Sequence, residues 1–166
     1  MVRPVVWRPP AEPSSAELAV IRAVRRARLF VFLRLHRHEL FDEQFQAELA
    51  ATYVDSPKGQ PPVPPARLAL ATILQACTGV SDDEVIEATV MDRRWQLVLD
   101  CMNAEEPPFS KGTLAGFRKR LIKKNLDRRL VERTVELAAA TGGFGARALR
   151  VYPIRLTASR SRAPVK

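Results

Sequence analysis

Four carboxylates lie close together near the middle of the chain, at Asp82, Asp83, Glu84 and Glu87. Clustered carboxylates can hold two metal ions, an arrangement that catalyses phosphoryl transfer. These acids directly follow Ser81, however, and Ser81 with Glu84 has the spacing of a capping box at the start of a helix. Acidic residues are favoured in the first turn of a helix because they complement its dipole. We therefore interpret the cluster as a helix start and assign it no catalytic role.

The remaining residue types that bind metals or act as nucleophiles do not form a recognisable site. His36 and His38 are two residues apart, which places them on different faces of a helix, and no third ligand is obvious. Cys77 and Cys101 form no CxxC pair, so neither a zinc site nor a disulfide is predicted. The sequence has no glycine-rich phosphate loop and no nucleophile elbow. We predict no catalytic residue, no metal, no cofactor and a reduced, cytoplasmic location.

The pattern best suited to bind a ligand is a basic helix predicted over residues 111–124, with Ser110 as its cap. At 100° per residue, Leu114, Phe117 and Leu121 form one apolar stripe. The opposite side combines small and cationic residues: Gly112, Gly116, Lys119 and Lys123, with Arg120 beside them. Small residues between cations let a helix approach phosphates closely, as a helix in the major groove requires. A solvated face that only keeps the domain soluble would carry the same charges.

The candidate contacts to DNA are the basic residues of this helix and of a second, N-terminal patch. The helix contributes Lys111, Arg118, Lys119, Arg120, Lys123 and Lys124, and the N-terminal patch comprises Arg22, Arg25 and Arg26. Arg118 lies nearer the apolar stripe than the others, so it can instead anchor the helix to an acidic neighbour.

Charge is strongly segregated along the 166 residues, whose net charge is +9. Residues 1–38 contain eight Lys and Arg against two Asp and Glu, residues 39–110 four against thirteen, and residues 111–166 fifteen against three. A basic end joined to an acidic middle favours a polyanion held by one part of the surface. An arginine-rich genome would raise the basic count everywhere, which does not account for the acidic middle.

The elements that position these residues are all predicted to be helices, in one compact bundle of about six with a helix-turn-helix-like C-terminal part. The first helix should run from a cap at Ser14 or Ser15 to about Leu35 and the second from Asp42 to about Tyr53. Pro64-Pro65 should open a core helix that ends at Gly79, and Asp92–Trp95 should join two further helices. Asn125 should separate helix 111–124 from a last helix over about 127–140, which Gly142-Gly143 ends. Successive turns of the first helix should be traced by Leu18, Ile21, Val24 (or Arg25) and Arg28. The predicted inward positions of the second helix are Phe45, Leu49 and Tyr53, and the last helix should present Leu130, Val131 (or Thr134) and Leu137.

Three segments follow from the composition. Residues 1–14 are predicted to be a flexible, Pro-rich arm, residues 15–150 the helical domain, and residues 151–166 a basic disordered tail. The apolar run at 27–35 is less than half the length needed to span a membrane and contains Arg28 and Arg34. We predict no membrane partner.

An ordered series of short motifs carries a resemblance to a known family. The motifs are Phe41-Asp42-Glu43, Pro-Pro-Val-Pro-Pro at 61–65, Leu74-Gln75-Ala76, Thr78-Gly79-Val80-Ser81-Asp82, Asp92-Arg93-Arg94-Trp95, Pro108-Phe109-Ser110 and Phe117-Arg118-Lys119-Arg120-Leu121. Over roughly residues 35–150 the chain resembles the N-terminal domain of InsH-type insertion-sequence transposases. The resemblance implies a helical domain that engages double-stranded DNA at the terminal inverted repeats of the element and precedes an RNase H-like DDE catalytic domain.

The resemblance fails where the first catalytic aspartate of the family would follow. Members continue from a segment like Ala148–Val151 into a strand that bears this aspartate, but here the sequence reads Tyr152-Pro153-Ile154-Arg155-Leu156, and no acidic residue follows Glu136. We expect a gene truncated or frameshifted near Val151, and hence a chain that is not an enzyme by itself.

Two functions are compatible with these patterns. The first is a DNA-binding domain of a transposase that recognises element ends without cutting them and is either inert or a competitor of the intact transposase. The second is a helical module for self-association, with a copy of itself or the intact transposase as partner and the basic surface incidental. Salt dependence separates the two, because only phosphate neutralisation gives a steep loss of affinity with ionic strength.

Overall fold

A computed structural model describes residues 5–53 and 62–142 of the chain. Every regular element in these two ranges is an α-helix, and the helices that follow residue 27 share one hydrophobic core, which confirms the predicted all-α class. The described helices are α1 (Ser15–Ala23), α2 (Arg28–Leu40), α3 (Glu43–Ala50), α4 (Pro65–Thr78), α5 (Asp82–Met91), α6 (Arg93–Leu99), α7 (Lys111–Lys123) and α8 (Leu126–Thr141). The predicted number of helices, about six, was low, in part because the structure has two helices where the sequence predicted the first one.

The chain bends between α1 and α2. Ser14 caps α1 as predicted, and its capping box with Glu17 is complete. Val24 then leaves the helix with an extended backbone (φ −75°, ψ 110°), and α2 begins after Ala27 without a side-chain cap. The prediction of one helix to Leu35 was therefore wrong, because the helical pattern continues in sequence across a bend that no glycine or proline marks.

A buried ion pair across this bend explains it. Glu17 of α1 and Arg34 of α2 are both buried, and the guanidinium of Arg34 donates hydrogen bonds to the carboxylate of Glu17. The two residues can meet only if the chain turns between α1 and α2, because in one continuous helix residues 17 positions apart lie about 25 Å from each other along the axis. In this arrangement Glu17 and Val20 are the buried residues of α1, whereas Leu18 is 37% exposed.

Helix α4 lies at the centre of the core, as its almost wholly apolar sequence predicts. All residues from Pro65 to Leu74 are buried except Arg67, and α4 packs against α3, α5, α6 and α7. Proline at the first helical position costs no hydrogen bond. Gly79 ends the helix with φ 73°, a left-handed conformation that favours glycine.

Most of the other predicted helix boundaries agree with the structure, but the predicted joint Asp92–Trp95 is reduced to Asp92, because α6 begins at Arg93. Asp42, Ser81, Asp92 and Ser110 each cap a helix through the side chain, and Asn125 (φ 56°) separates α7 from α8. Among the predicted inward positions, Phe45, Leu49, Leu130 and Thr134 are buried, and Val131 and Leu137 are half-buried. Tyr53 is also half-buried, but it lies beyond the end of α3 at Ala50.

The Pro-rich arm has no helix or strand over residues 5–13, but it is fixed to the bundle. Gln46 of α3 accepts a hydrogen bond from the backbone N–H of Trp7 at 2.8 Å and donates one to its carbonyl at 2.9 Å. Arg37 of α2 donates to the carbonyl of Pro10, and its guanidinium lies 5.3 Å from the centre of the Trp7 ring. Trp7 is 8% exposed, so this part of the arm is not free.

Some predicted segments lie outside the described residues. These are residues 1–4, most of the predicted loop 54–64, the end of the predicted domain at 143–150 and the whole tail 151–166. In the described ranges no helix is long and apolar enough to cross a membrane.

Candidate nucleic-acid interface

The sequence-predicted apolar stripe orients α7. Leu114, Phe117 and Leu121 are all buried, and α7 packs against α4, α5 and α8. A helix that buries one side this completely must present the opposite side to solvent. Gly112, Lys119 and Lys123 are accordingly exposed.

Three lysines give the exposed side of this helix its charge, and we call them the lysine face: Lys119, Lys123 and Lys124. Lys119 and Lys123 are four residues apart, so they are neighbours on the helix surface, and Lys124 follows at the end of the helix. Their side chains make no hydrogen bond or ion pair with another described residue. The lysine face therefore presents cations that are not neutralised within the described part of the chain.

Two glycines lie on the same side of α7, and nothing in the described fold requires them. Neither has the positive φ that favours glycine. A Cβ atom on Gly112 would come no closer than 3.9 Å to its nearest neighbour, Ser110 Oγ, and one on Gly116 would lie 3.5 Å from Arg120 Nη1, an ordinary contact. Glycine inside a helix costs about 0.5 to 1 kcal/mol relative to alanine. The two positions lower the stability of α7 without any gain in packing.

Arg118 anchors α7 to an acidic neighbour, which is one of the two roles that the sequence allows for it. It is 9% exposed, its Nη2 donates to Asp82 Oδ2 at 2.9 Å, and its Nη1 donates to Gln75 Oε1 at 2.7 Å. The hydrogen bond from Arg118 also lowers the pKa of Asp82, which favours its charged form. Arg118 thus fastens α7 to α4 and α5 and is not available to DNA in this conformation.

Arg120 and Lys111 are also engaged within the protein. The guanidinium of Arg120 lies 4.1 Å from the centre of the Tyr53 ring, and Arg120 is half-buried. Lys111 Nζ lies 3.0 Å from both carboxylate oxygens of Asp83, in an exposed pair. Of the six basic residues predicted around α7, the three of the lysine face are the ones that remain without an acidic or aromatic partner among the described residues.

A cleft lies where the end of α1 meets the start of α6. We call it the arginine cleft; it has a volume of about 540 Å³ and is lined by Ala19, Val20, Ala23, Val24, Arg25, Arg26, Ala27, Arg93 and Arg94. The predicted N-terminal patch is split by this geometry: Arg25 and Arg26 line the cleft, whereas Arg22 is exposed on α1 outside it. Arg93 completes the rim and was not singled out from the sequence, because the cleft joins segments almost 70 residues apart.

The connection between α6 and α7, residues 100–110, is longer than the three or four residues of a helix-turn-helix. Helices α7 and α8 are joined by Lys124 and Asn125 alone, and they pack against each other. Arg128, at the start of α8, is exposed directly after this joint and has no partner among the described residues. It is a second basic residue that sequence reasoning missed.

Three of the four clustered carboxylates have structural roles. Asp82 binds Arg118, Asp83 pairs with Lys111, and Glu84 completes the capping box of Ser81. Within the described ranges no group of three or more His, Cys, Asp and Glu side chains could hold a metal ion. Burial raises the pKa of the Cys77 and Cys101 thiols to about 11, so both are protonated at neutral pH.

The described residues thus define a class: an α-helical domain whose penultimate described helix, α7, carries an exposed basic face. Residues 27–120 match the family described as Transposase domain (DUF772), which spans more than half of the chain, and the protein belongs to this family. The matched segment begins at the joint before α2 and ends inside α7, at Arg120. No curated protein and no solved structure matches the chain.

Proposed function

We propose that this chain is the DNA-binding part of an insertion-sequence transposase of the InsH type and that it binds the terminal inverted repeats of the element through the lysine face of α7. The observation that carries the proposal is the set of three exposed lysines without a partner among the described residues. Membership of a transposase domain family supports it, because transposition requires contact with DNA.

The shape of α7 supports contact with a duplex. An α-helix is about 10 to 12 Å across, which fits the major groove of B-DNA. Gly112 and Gly116 lack side chains on the same side as Lys119 and Lys123, so the helix backbone can come close to the phosphates while the lysines reach along the strands. This need for close approach gives a reason for two glycines that the described packing does not require.

The rigidity of α7 supports the same role. Its N-terminus is capped by Ser110, whose Oγ accepts a hydrogen bond from the N–H of Thr113 at 3.2 Å, and Arg118 fixes its inner side to Asp82. Binding residues on a helix held in this way lose little conformational freedom when a ligand binds. We expect binding without strand cleavage from this chain alone.

The test is the salt dependence of binding to a duplex that carries the terminal repeat, compared with a scrambled duplex. Each lysine–phosphate contact contributes about 0.9 to the slope of log K against log salt concentration. We expect Lys119→Gln/Lys123→Gln to reduce the slope of log K against log salt concentration by about 2 and to weaken binding to both duplexes.

The matched control is Arg8→Gln/Arg129→Gln, which removes the same charge from two exposed residues that already pair with Glu43 and Glu48. This control should keep the wild-type slope. A folded Lys119→Gln/Lys123→Gln variant with the wild-type slope would show that α7 does not contact the phosphates.

A further inference from the structure

The arginine cleft differs from the lysine face in having an apolar floor. Five of its nine lining residues are small and apolar, and we call them the floor: Ala19, Val20, Ala23, Val24 and Ala27. A volume of about 540 Å³ is within the range of pockets that enclose apolar groups. DNA phosphates would pair with the arginines, but they carry no apolar group that complements the apolar part of the lining.

The rim of the cleft carries three arginines without an acidic partner among the described residues. Arg94 already pairs with Asp92, whose Oδ2 lies 2.6 Å from Arg94 Nη2. Arg25, Arg26 and Arg93 are exposed and have no partner among the described residues, and no described residue of the lining is acidic. A fitting ligand therefore combines an apolar group for the floor with carboxylates for the rim.

The end of α5 presents this combination on the same molecule. Met91 is 74% exposed, the most exposed of the large apolar side chains in the described ranges. Glu87 is exposed one helical turn before it, so the two side chains are neighbours on the helix surface. Methionine and arginine are both enriched in protein interfaces, and the flexible methionine side chain adapts to irregular apolar pockets.

Met91 lies close to one wall of the cleft. Met91 and Arg93 are two residues apart, so their Cα atoms lie within about 7.6 Å of each other. A two-fold symmetric dimer requires a patch that is complementary to itself, in which each copy contributes both the projecting group and the pocket. A projecting Met91 next to an arginine-rimmed cleft meets this requirement.

We propose that a second copy of this chain docks on the arginine cleft, with Met91 of each copy in the cleft of the other and Glu87 facing the arginines of its rim. This self-association does not rest on DNA binding, since it uses none of the residues of the lysine face. It assigns to the chain an interaction surface on α1, α5 and α6.

The test is sedimentation equilibrium of the full chain without DNA over a range of protein concentrations. Wild-type protein should form dimers, and Met91→Asp should weaken the association at least tenfold. The matched control is Ile122→Asp, which places the same charge at an apolar residue of α7 that is 38% exposed; it should leave the association unchanged.

A charge exchange tests the pairing itself. Arg25→Glu/Arg93→Glu and Glu87→Arg should each weaken self-association, because both dimers bring like charges together. A mixture of the two variants should form a mixed dimer, since opposite charges then meet at both contacts. Arg22→Glu, outside the cleft, is the control for the arginine changes.

Three results would overturn the proposal. Wild-type protein that stays monomeric at every concentration, dimers that Met91→Asp does not weaken, or a mixture that does not associate would each do so. If Arg25→Glu/Arg93→Glu weakened duplex binding while the wild type stayed monomeric, the cleft would be a DNA contact.

Discussion

The lysine face and the arginine cleft are both basic, but they differ in shape and support. The lysine face lies on a capped helix of 13 residues whose inner side is anchored by Arg118. The arginine cleft is concave, has an apolar floor and includes the bend at Val24–Ala27. Equal charge on a convex and on a concave surface suits different partners: we assign DNA to the first and a second copy of the chain to the second.

The largest effect is expected from the ion pair that holds α1, and with it one wall of the cleft. Glu17→Gln should lower the free energy of unfolding by about 3 kcal/mol, because Arg34 is fully buried and would lose its counter-charge. Urea denaturation measures this loss. Self-association should weaken more than duplex binding, since α1 forms part of the cleft and not of the lysine face.

The control for this change is Glu43→Gln, which removes an exposed pair with Arg8 and should cost less than about 1 kcal/mol. Equal losses from Glu17→Gln and Glu43→Gln would show that the Glu17–Arg34 pair does not hold α1 in place.

The corresponding change for the lysine face is Asp82→Asn. Gln75 remains as a partner of Arg118, so we expect a smaller loss of about 2 kcal/mol in the free energy of unfolding. Since α7 would be less firmly fixed, duplex affinity should fall severalfold while self-association persists. Fluorescence anisotropy with a labelled duplex measures the affinity. An unchanged affinity would show that DNA binding does not depend on the contact between Arg118 and Asp82.

Acid should weaken both of the ion pairs that hold helices in place, Glu17 with Arg34 and Asp82 with Arg118. Burial by itself would raise the pKa of Glu17, but its hydrogen bonds and the charge of Arg34 outweigh this and lower it, and the hydrogen bond from Arg118 lowers the pKa of Asp82. Carboxylates with a lowered pKa stabilise the fold above the unfolded value of about 4, and this stability is lost as the pH falls through the folded value.

Urea midpoints measured from neutral pH to pH 2 should therefore fall steadily on the acid side. The urea midpoint should fall less steeply with pH in Asp82→Asn, because this variant lacks one of the carboxylates whose pKa is lowered by folding. An identical pH dependence in the variant and the wild type would mean that Asp82 contributes nothing to the acid sensitivity.

The smallest effect has opposite signs for stability and binding. Gly112→Ala and Gly116→Ala should each raise the free energy of unfolding by about 0.5 to 1 kcal/mol, because both positions are helical and have room for a Cβ atom. Duplex affinity should fall, since the added methyl groups keep the backbone of α7 away from the phosphates. A stabilised variant that bound DNA as well as the wild type would remove the functional reason for these glycines.

Much of the fold was predictable because its signals are local. Caps at Ser14, Asp42, Ser81 and Ser110 and the left-handed Gly79 depend on neighbours within a few residues. The stripe of Leu114, Phe117 and Leu121 follows from helical spacing alone.

The features that sequence reasoning missed depend on distant residues. The bend after α1 is coupled to a pair between Glu17 and Arg34, and the cleft brings Arg93 beside Arg25. An arginine at a position in a helical pattern looks the same whether it faces solvent or a distant carboxylate. Arg118 illustrates this: helical spacing placed it near the apolar stripe, but only the fold shows that Asp82 is its partner.

The central claim, that two basic surfaces serve two partners, is tested most directly by the salt dependence of duplex binding in two charge-matched variants. Lys119→Gln/Lys123→Gln and Arg25→Gln/Arg93→Gln each remove two positive charges. We predict that the lysine variant lowers the steepness of log K against log salt concentration by about 2, while the arginine variant keeps the wild-type slope. Equal losses in both variants, or a loss in the arginine variant alone, would contradict this account.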